Sequence, residues 1–390
     1  MKRTLLLIVV LLLLVLCRWP WAADCPQPLA IKAGKIWTVT NGVIENGVIV
    51  ITNGKIDAVG KNPCVPEGAK ILEMPDTNVM PGLIDGHCHL GLALDILGEI
   101  EETVSAVTPE MQILDAFNPA ADDVKKALRS GVTTVLLAPG YKNPIAGQTA
   151  IVKLCGARTD DWVLRRNAGV KFSLGNEALM SDRRPTSRPG LLTLIREELT
   201  RGKNCGGDTF DPRVQILKRV AEGELPVYIS VHTVDETVAA MQIVDECALK
   251  ATLVGAEQGD EVATMIAERN IPVIYAPLLR FSKDKDLKRV VGMAGAGIKI
   301  AFASTAPLTD LRDLRTSAII AAKYGLSPEV ALKSLTIHAA EILGIAERVG
   351  SIEIGKDADL VILNGSPLEL TSRVEMVIVN GTIVYQGEEK

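Results

Sequence analysis

From about residue 81 to about residue 345, short apolar runs alternate with amphipathic stretches, and this alternation constrains the fold of the 390-residue chain more than any other feature. Thr133-Thr-Val-Leu-Leu137, Pro226-Val-Tyr-Ile-Ser-Val231, Pro272-Val-Ile-Tyr275 and Ile298-Lys-Ile-Ala-Phe302 read as buried strands, and helical patterns such as Val262 to Ala267 separate them. Strand and helix in repetition predict parallel βα units. A span of roughly 265 residues suits a (β/α)8 TIM barrel, whose functional groups gather at the C-terminal ends of the strands. A doubly wound sheet is the competing arrangement. No Gly-x-Gly-x-x-Gly follows a strand, so a dinucleotide-binding fold has little support.

The flanks have a different texture. Residues from about 29 to 80 are short β-like runs punctuated by Asn41-Gly42, Asn46-Gly47 and Asn53-Gly54, and the last forty residues repeat the style with Asn364-Gly365 and Asn380-Gly381. Asn-Gly is a hairpin signal because both residues tolerate positive φ. The expected organisation is one small β-sandwich built from residues 24–80 and 346–390, with the barrel occupying 81–345.

The first residues read as a leader. Lys2 and Arg3 precede an apolar run from Leu5 to Leu16, about a dozen residues where a membrane-spanning helix needs roughly 20. A signal peptide of residues 1–23, cleaved after Ala23, predicts export to the periplasm or beyond, with an uncleaved anchor as the alternative. Six cysteines then remain, at 25, 64, 88, 155, 205 and 247. Without a CxxC pair, zinc-ribbon and thioredoxin-like readings lack support, and a Cys25 to Cys64 bridge is the one pairing suggested. A hydrophobic share of 47% and a net charge of −5 exclude a disordered chain and the basic footprint of nucleic-acid binding. The expected partner is a small-molecule substrate, with no nucleic acid and no membrane beyond the signal segment. A homo-oligomer stays open.

Chemistry that depends on imidazole must draw on four histidines, His87, His89, His232 and His338. In Met80-Pro-Gly-Leu-Ile-Asp-Gly-His87-Cys88-His89-Leu90 a strand would point His87 and His89 to one face and Cys88 to the other, so the pair can chelate a metal ion. His232 ends the run Val227-Tyr-Ile-Ser-Val-His232, where barrel catalytic residues sit, and is the natural third ligand, the competing role being a satisfied core histidine. Three imidazoles and a water would make an open zinc site. His338 lies in a helical Ala-Ala-Glu-Ile-Leu context and reads as structural. The charge run Lys283 to Arg289 reads as a solvated helix start or loop.

The segment around His87 and His89, together with Thr108-Pro-Glu-Met-Gln-Ile-Leu-Asp-Ala-Phe-Asn-Pro119, Asn143-Pro-Ile-Ala-Gly-Gln-Thr-Ala-Ile-Val-Lys153, Leu335-Thr-Ile-His-Ala-Ala-Glu-Ile-Leu-Gly344 and Val349-Gly-Ser-Ile-Glu-Ile-Gly-Lys-Asp-Ala-Asp-Leu360, resembles the amidohydrolase superfamily, in particular imidazolonepropionase-like and related exported members. The resemblance implies a metal-dependent barrel with a small β-sandwich that hydrolyses C–N bonds of a cyclic amide, lactam or similar small substrate through metal-bound hydroxide. One divalent ion is implied, zinc first, with iron and manganese as alternatives.

Carried over position by position, the pattern matches at His87, His89 and His232 and departs elsewhere. The sixth-strand histidine has no counterpart in Leu253-Val-Gly255-Ala256-Glu257, and the eighth-strand aspartate corresponds to Thr305 in Ser304-Thr305-Ala306-Pro307. That aspartate shuttles a proton, a general acid–base role worth roughly 10²–10⁴ in rate, and a threonine hydroxyl cannot replace it. Relatives read Leu-Gly-Glu-Asn where this chain has Leu174-Gly175-Asn176-Glu177. Glu177 is a candidate replacement carboxylate, although a one-residue shift along a strand turns the side chain to the other face unless a bulge intervenes. Gln148 and Lys153 are candidate substrate contacts. The alternative function is an impaired relative that binds a small molecule or metal without turnover.

Overall fold

Alternating apolar positions in the N-terminal segment produce β1 (Leu29–Trp37), β2 (Val43–Thr52), β3 (Lys55–Gly60) and β4 (Lys70–Pro81) in the computed structural model. The model describes residues 27–92, 100–155, 162–206, 210–279 and 281–387. The leader, its cleavage site and Cys25 fall outside the described residues. Asn53-Gly54 makes the β2–β3 turn with φ of 52° and 76°, as its sequence predicts. Asn46-Gly47 instead lies within β2, where Asn46 has φ 52° and a side chain on residue 47 would collide with Ile36.

The chain then enters eight strands that neighbour one another in chain order: β5 (Leu83–Cys88), β6 (Val132–Leu137), β7 (Ile145–Lys153), β8 (Val163–Ser173), β9 (Val227–Val231), β10 (Ala251–Gly255), β11 (Val273–Tyr275) and β12 (Ile300–Phe302). All pairings are parallel except those of β7, which runs antiparallel to β6 and β8. The expected TIM barrel is therefore present with its third strand reversed. Residues 138–144 connect β6 to β7, and a parallel crossover needs a dozen or more.

Ile84, Leu136, Tyr228, Val254, Ile274 and Ala301 fill the barrel interior, where the helix Ile337–Ile342 packs against them. The amide of Ile84, at the start of β5, donates to the carbonyl of Leu335 just ahead of that helix, so the helix seals the N-terminal end and leaves the C-terminal end for the site.

The chain returns as β13 (Leu360–Leu363), β14 (Val374–Val379) and β15 (Thr382–Gln386), which join the N-terminal strands in a sheet of order β15-β14-β13-β4-β1-β2-β3. Its tips meet. The amide of Gly381 donates to Ala358, and the amide of Ala358 donates to Gly54, so the sheet curls around a core that includes Ile31, Ile49, Ile56, Leu360 and Ile378. The Lys283 to Arg289 run begins the helix Asp284–Gly295, but Arg289 is buried rather than solvated and pairs with Asp260, Glu261 and Asp286 at 2.6, 3.0 and 3.3 Å. No helix among the described residues is long and apolar enough to cross a membrane.

Candidate functional site

His87 and His89 lie at the C-terminal end of β5, on one face as the strand period requires, and Cys88 turns into the outer core. Both imidazoles are fully buried, their rings meet edge to face at 5.3 Å, and neither Nε2 has a hydrogen-bond partner. His89 Nδ1 lies 2.8 Å from the carbonyl of Ala138. A carbonyl only accepts, so the His89 proton sits on Nδ1 and its Nε2 presents a lone pair. Burial holds His89 at about 4 and pushes His87 well below the usual imidazole range. Two neutral, buried nitrogens without partners fit a divalent ion as two of its donors, because metal ligands must be deprotonated.

Tyr141 and Lys171 complete this side of the site. The Tyr141 ring stacks on His87 at 5.6 Å, and its hydroxyl is 3.4 Å from His87 Nδ1. Lys171, on β8, places Nζ 4.5 Å from the centre of that ring and donates to the Phe172 carbonyl, Ser173 Oγ and Ser230 Oγ at 3.2, 3.1 and 2.5 Å. Burial brings its amine down to about 7. Sequence reading missed Lys171, yet a lysine inside the apolar run Ala168-Gly-Val-Lys-Phe172 was a usable signal, since lysine is almost never fully buried without a reason. Glu101 was missed too. It is buried, accepts from the amide of Lys142, and burial pushes its carboxyl up. In sequence it resembles any solvated loop acid.

His232 follows β9 and lies between two carboxylates. Its Nδ1 is 3.1 Å from Glu257, and its Nε2 is 3.8 Å from Glu177. The Glu257 hydrogen bond raises the imidazole pKa, assisted by the charges of Glu257 and Glu177 and opposed by partial burial. Glu177 reaches the site because it lies on a 3-10 turn, Asn176–Ala178, after β8 has ended, so strand alternation does not govern its direction. Gly255 ends β10 with φ 89°, and a Cβ there would stand 2.7 Å from the Val231 carbonyl, which accounts for the missing side chain at that strand end.

Among the described residues no group of three or more His, Cys, Asp or Glu side chains is disposed to hold a metal ion. The three-imidazole centre expected from sequence is therefore not assembled: His87 and His89 pair, while His232 is engaged by carboxylates. Thr305 adjoins the pair, its amide donating to the His87 carbonyl at 3.2 Å. Its φ of 54° is a left-handed conformation that a β-branched residue rarely adopts.

The remaining candidates belong elsewhere. Lys153 ends β7, and because that strand is reversed its end lies at the opposite face of the barrel. There it is buried and pairs with Asp357 at 2.7 Å and Asp359 at 2.9 Å, joining barrel to sheet. It is not a substrate contact. Gln148 is also buried, and its amide donates to the Glu110 carbonyl while its backbone N–H donates to Met111, so it fastens the 110–112 segment rather than joining the histidines. His338 lies on the helix that seals the N-terminal end, far from the pair, as a structural residue would.

Known proteins share this organisation. Residues 219–384 match the model of the amidohydrolase family. The imidazolonepropionase of Pseudomonas fluorescens (strain Pf0-1) is 26% identical over 366 residues, covering 82% of this chain and 88% of that protein. The imidazolonepropionase of Caulobacter vibrioides (strain NA1000 / CB15N) is 24% identical over 377 residues, covering 85% and 91%. An amidohydrolase from Thermotoga maritima MSB8 superposes with a TM-score of 0.86 at 28% identity, covering 92% of this chain and 100% of that one. With the barrel, the curled terminal sheet and the histidine pair at the strand ends, these likenesses support reading the chain as an imidazolonepropionase-like member of the amidohydrolase superfamily.

Proposed function

We propose that the protein is an exported hydrolase of C–N bonds in small molecules, a cyclic amide or lactam being the preferred class, and that it works with one divalent ion, zinc first. The observation that carries this reading is the pair of buried, partnerless Nε2 atoms of His87 and His89 at the open end of the barrel. When bound there, a divalent ion supplies Lewis-acid polarisation and lowers the pKa of water. Similarity to imidazolonepropionases supports C–N hydrolysis.

The chain's own residues would divide the remaining work. His87 and His89 hold the ion. His232 manages the proton that the family's aspartate would carry at the position of Thr305: Glu257 on Nδ1 orients the ring, and Nε2 faces Glu177 across 3.8 Å, a separation through which a proton can pass with one intervening water. The buried wall of Tyr141 and Lys171 excludes bulk water from the pair. Hydrolysis of a panel of lactams, cyclic imides and dipeptides by the mature protein tests the reading. Turnover that a chelator abolishes and added zinc restores is expected. A metal-loaded protein inert toward the whole panel would favour a binding protein instead.

A further inference from the structure

Both groups that orient the histidine pair come from one loop. Residues 138–144 join β6 to the reversed β7, and within them the Ala138 carbonyl faces His89 Nδ1 at 2.8 Å while the Tyr141 hydroxyl faces His87 Nδ1 at 3.4 Å. The Tyr141 ring also holds both imidazoles in place, stacked on His87 with an interplanar angle of 30° and edge-on to His89 at 85°, each with centroids 5.6 Å apart.

We propose that Tyr141 is the positioning residue of the pair: its hydroxyl accepts the Nδ1–H of His87 and so fixes the tautomer that leaves Nε2 free, as Ala138 does for His89. This rests on the reading of the pair as metal donors. A neutral imidazole carries one ring proton, and in His87 the choice is between two nitrogens. A proton on Nε2 would be a buried donor with no acceptor, which is costly. A proton on Nδ1 meets the tyrosine oxygen. A hydroxyl can accept as well as donate, so Tyr141 suits this role, whereas phenylalanine would keep the wall and lose the acceptor. The arrangement is the one a metal-ligating histidine requires from its outer partners.

Four histidines make the test readable. In selectively ¹⁵N-histidine-labelled, metal-free protein, ring-nitrogen spectra should show His87 and His89 in the Nδ1–H form. Tyr141→Phe should release His87 from that form while His89, held by Ala138, stays unchanged and serves with His338 as a check on the fold. Zinc affinity by chelator competition should fall about 10–100-fold, the range for loss of an outer-shell partner. An Nε2–H tautomer at His87 in the wild-type protein overturns the proposal without any variant. An unchanged tautomer and affinity in Tyr141→Phe overturn it as well. Wild-type protein that binds no zinc would overturn the metal reading, while the tautomer would still decide the role of Tyr141.

Discussion

Asp85 on the first barrel strand accepts hydrogen bonds from both the backbone amide, at 2.9 Å, and the hydroxyl of Ser304 after the last strand. β5 and β12 share no ladder of their own, so this carboxylate, with the links from Thr305 N to the His87 carbonyl and from His89 N to the Ala306 carbonyl, closes the barrel at the point where the histidine pair emerges. Closure of the fold and construction of the site are thus one event in space.

Asp85→Asn should therefore weaken fold and site together. An amide keeps one oxygen for the backbone N–H groups of Ser304 and His87 but sets its NH2 against the Ser304 hydroxyl, at a cost of about 1–3 kcal/mol. Thermal melts should shift downward, and zinc affinity should fall in protein that remains folded. An unchanged melt would show that the seam is held by the backbone links alone.

Lys153→Met separates stability from activity. Removing the lysine leaves Asp357 with Lys55 and Arg348 but takes from buried Asp359 its cation at 2.9 Å, and losing one partner of a buried pair costs about 3–5 kcal/mol. Urea midpoints should drop strongly, with kcat per folded molecule retained. A selective rise in KM would restore Lys153 as a substrate contact.

Glu257→Gln should act through His232. Pairing with Glu257 raises the folded imidazole pKa above its ordinary 6.5, so its stabilising effect is complete below that value and is lost as pH rises through the raised pKa. Wild type should exceed the variant in stability near pH 6, and the gap should narrow in more alkaline buffer. The limb of the pH–rate profile set by His232 should move toward acid in the variant. Coincident profiles would remove His232 from proton handling.

Thr305→Asp should be tolerated and beneficial. Aspartate accepts a φ of 54° far more readily than a β-branched residue does, and it places a carboxylate next to His87. Melting should not decline, and kcat should rise about tenfold or more, toward the range expected of a general acid–base group. A rate unchanged with metal bound would show that something other than the missing carboxylate limits turnover.

The alternation of strands and helices, the two-ended sheet and the strand-borne histidine pair were legible because each rests on a local period or turn signal. The reversal of β7 was not. Its apolar run looks like that of a parallel strand, and only the short connection from Leu137 to Ile145 betrays it, so nothing in the sequence shows that Lys153, a candidate substrate contact, lies at the barrel face opposite the histidine pair. Glu177 was a candidate from the sequence, but its direction was not legible, because β8 ends at Ser173 and a 3-10 turn, Asn176–Ala178, carries the side chain. Lys171 left a signal as the one lysine in an apolar run, but its meeting with Tyr141 depends on packing between strands, which no single stretch of sequence records.

Elemental analysis of the purified wild-type protein beside His87→Ala tests the proposed centre most directly. Near one divalent ion per wild-type chain, and its loss from His87→Ala, is the predicted result. A wild-type chain without metal, or a variant that retains the full complement, would contradict it.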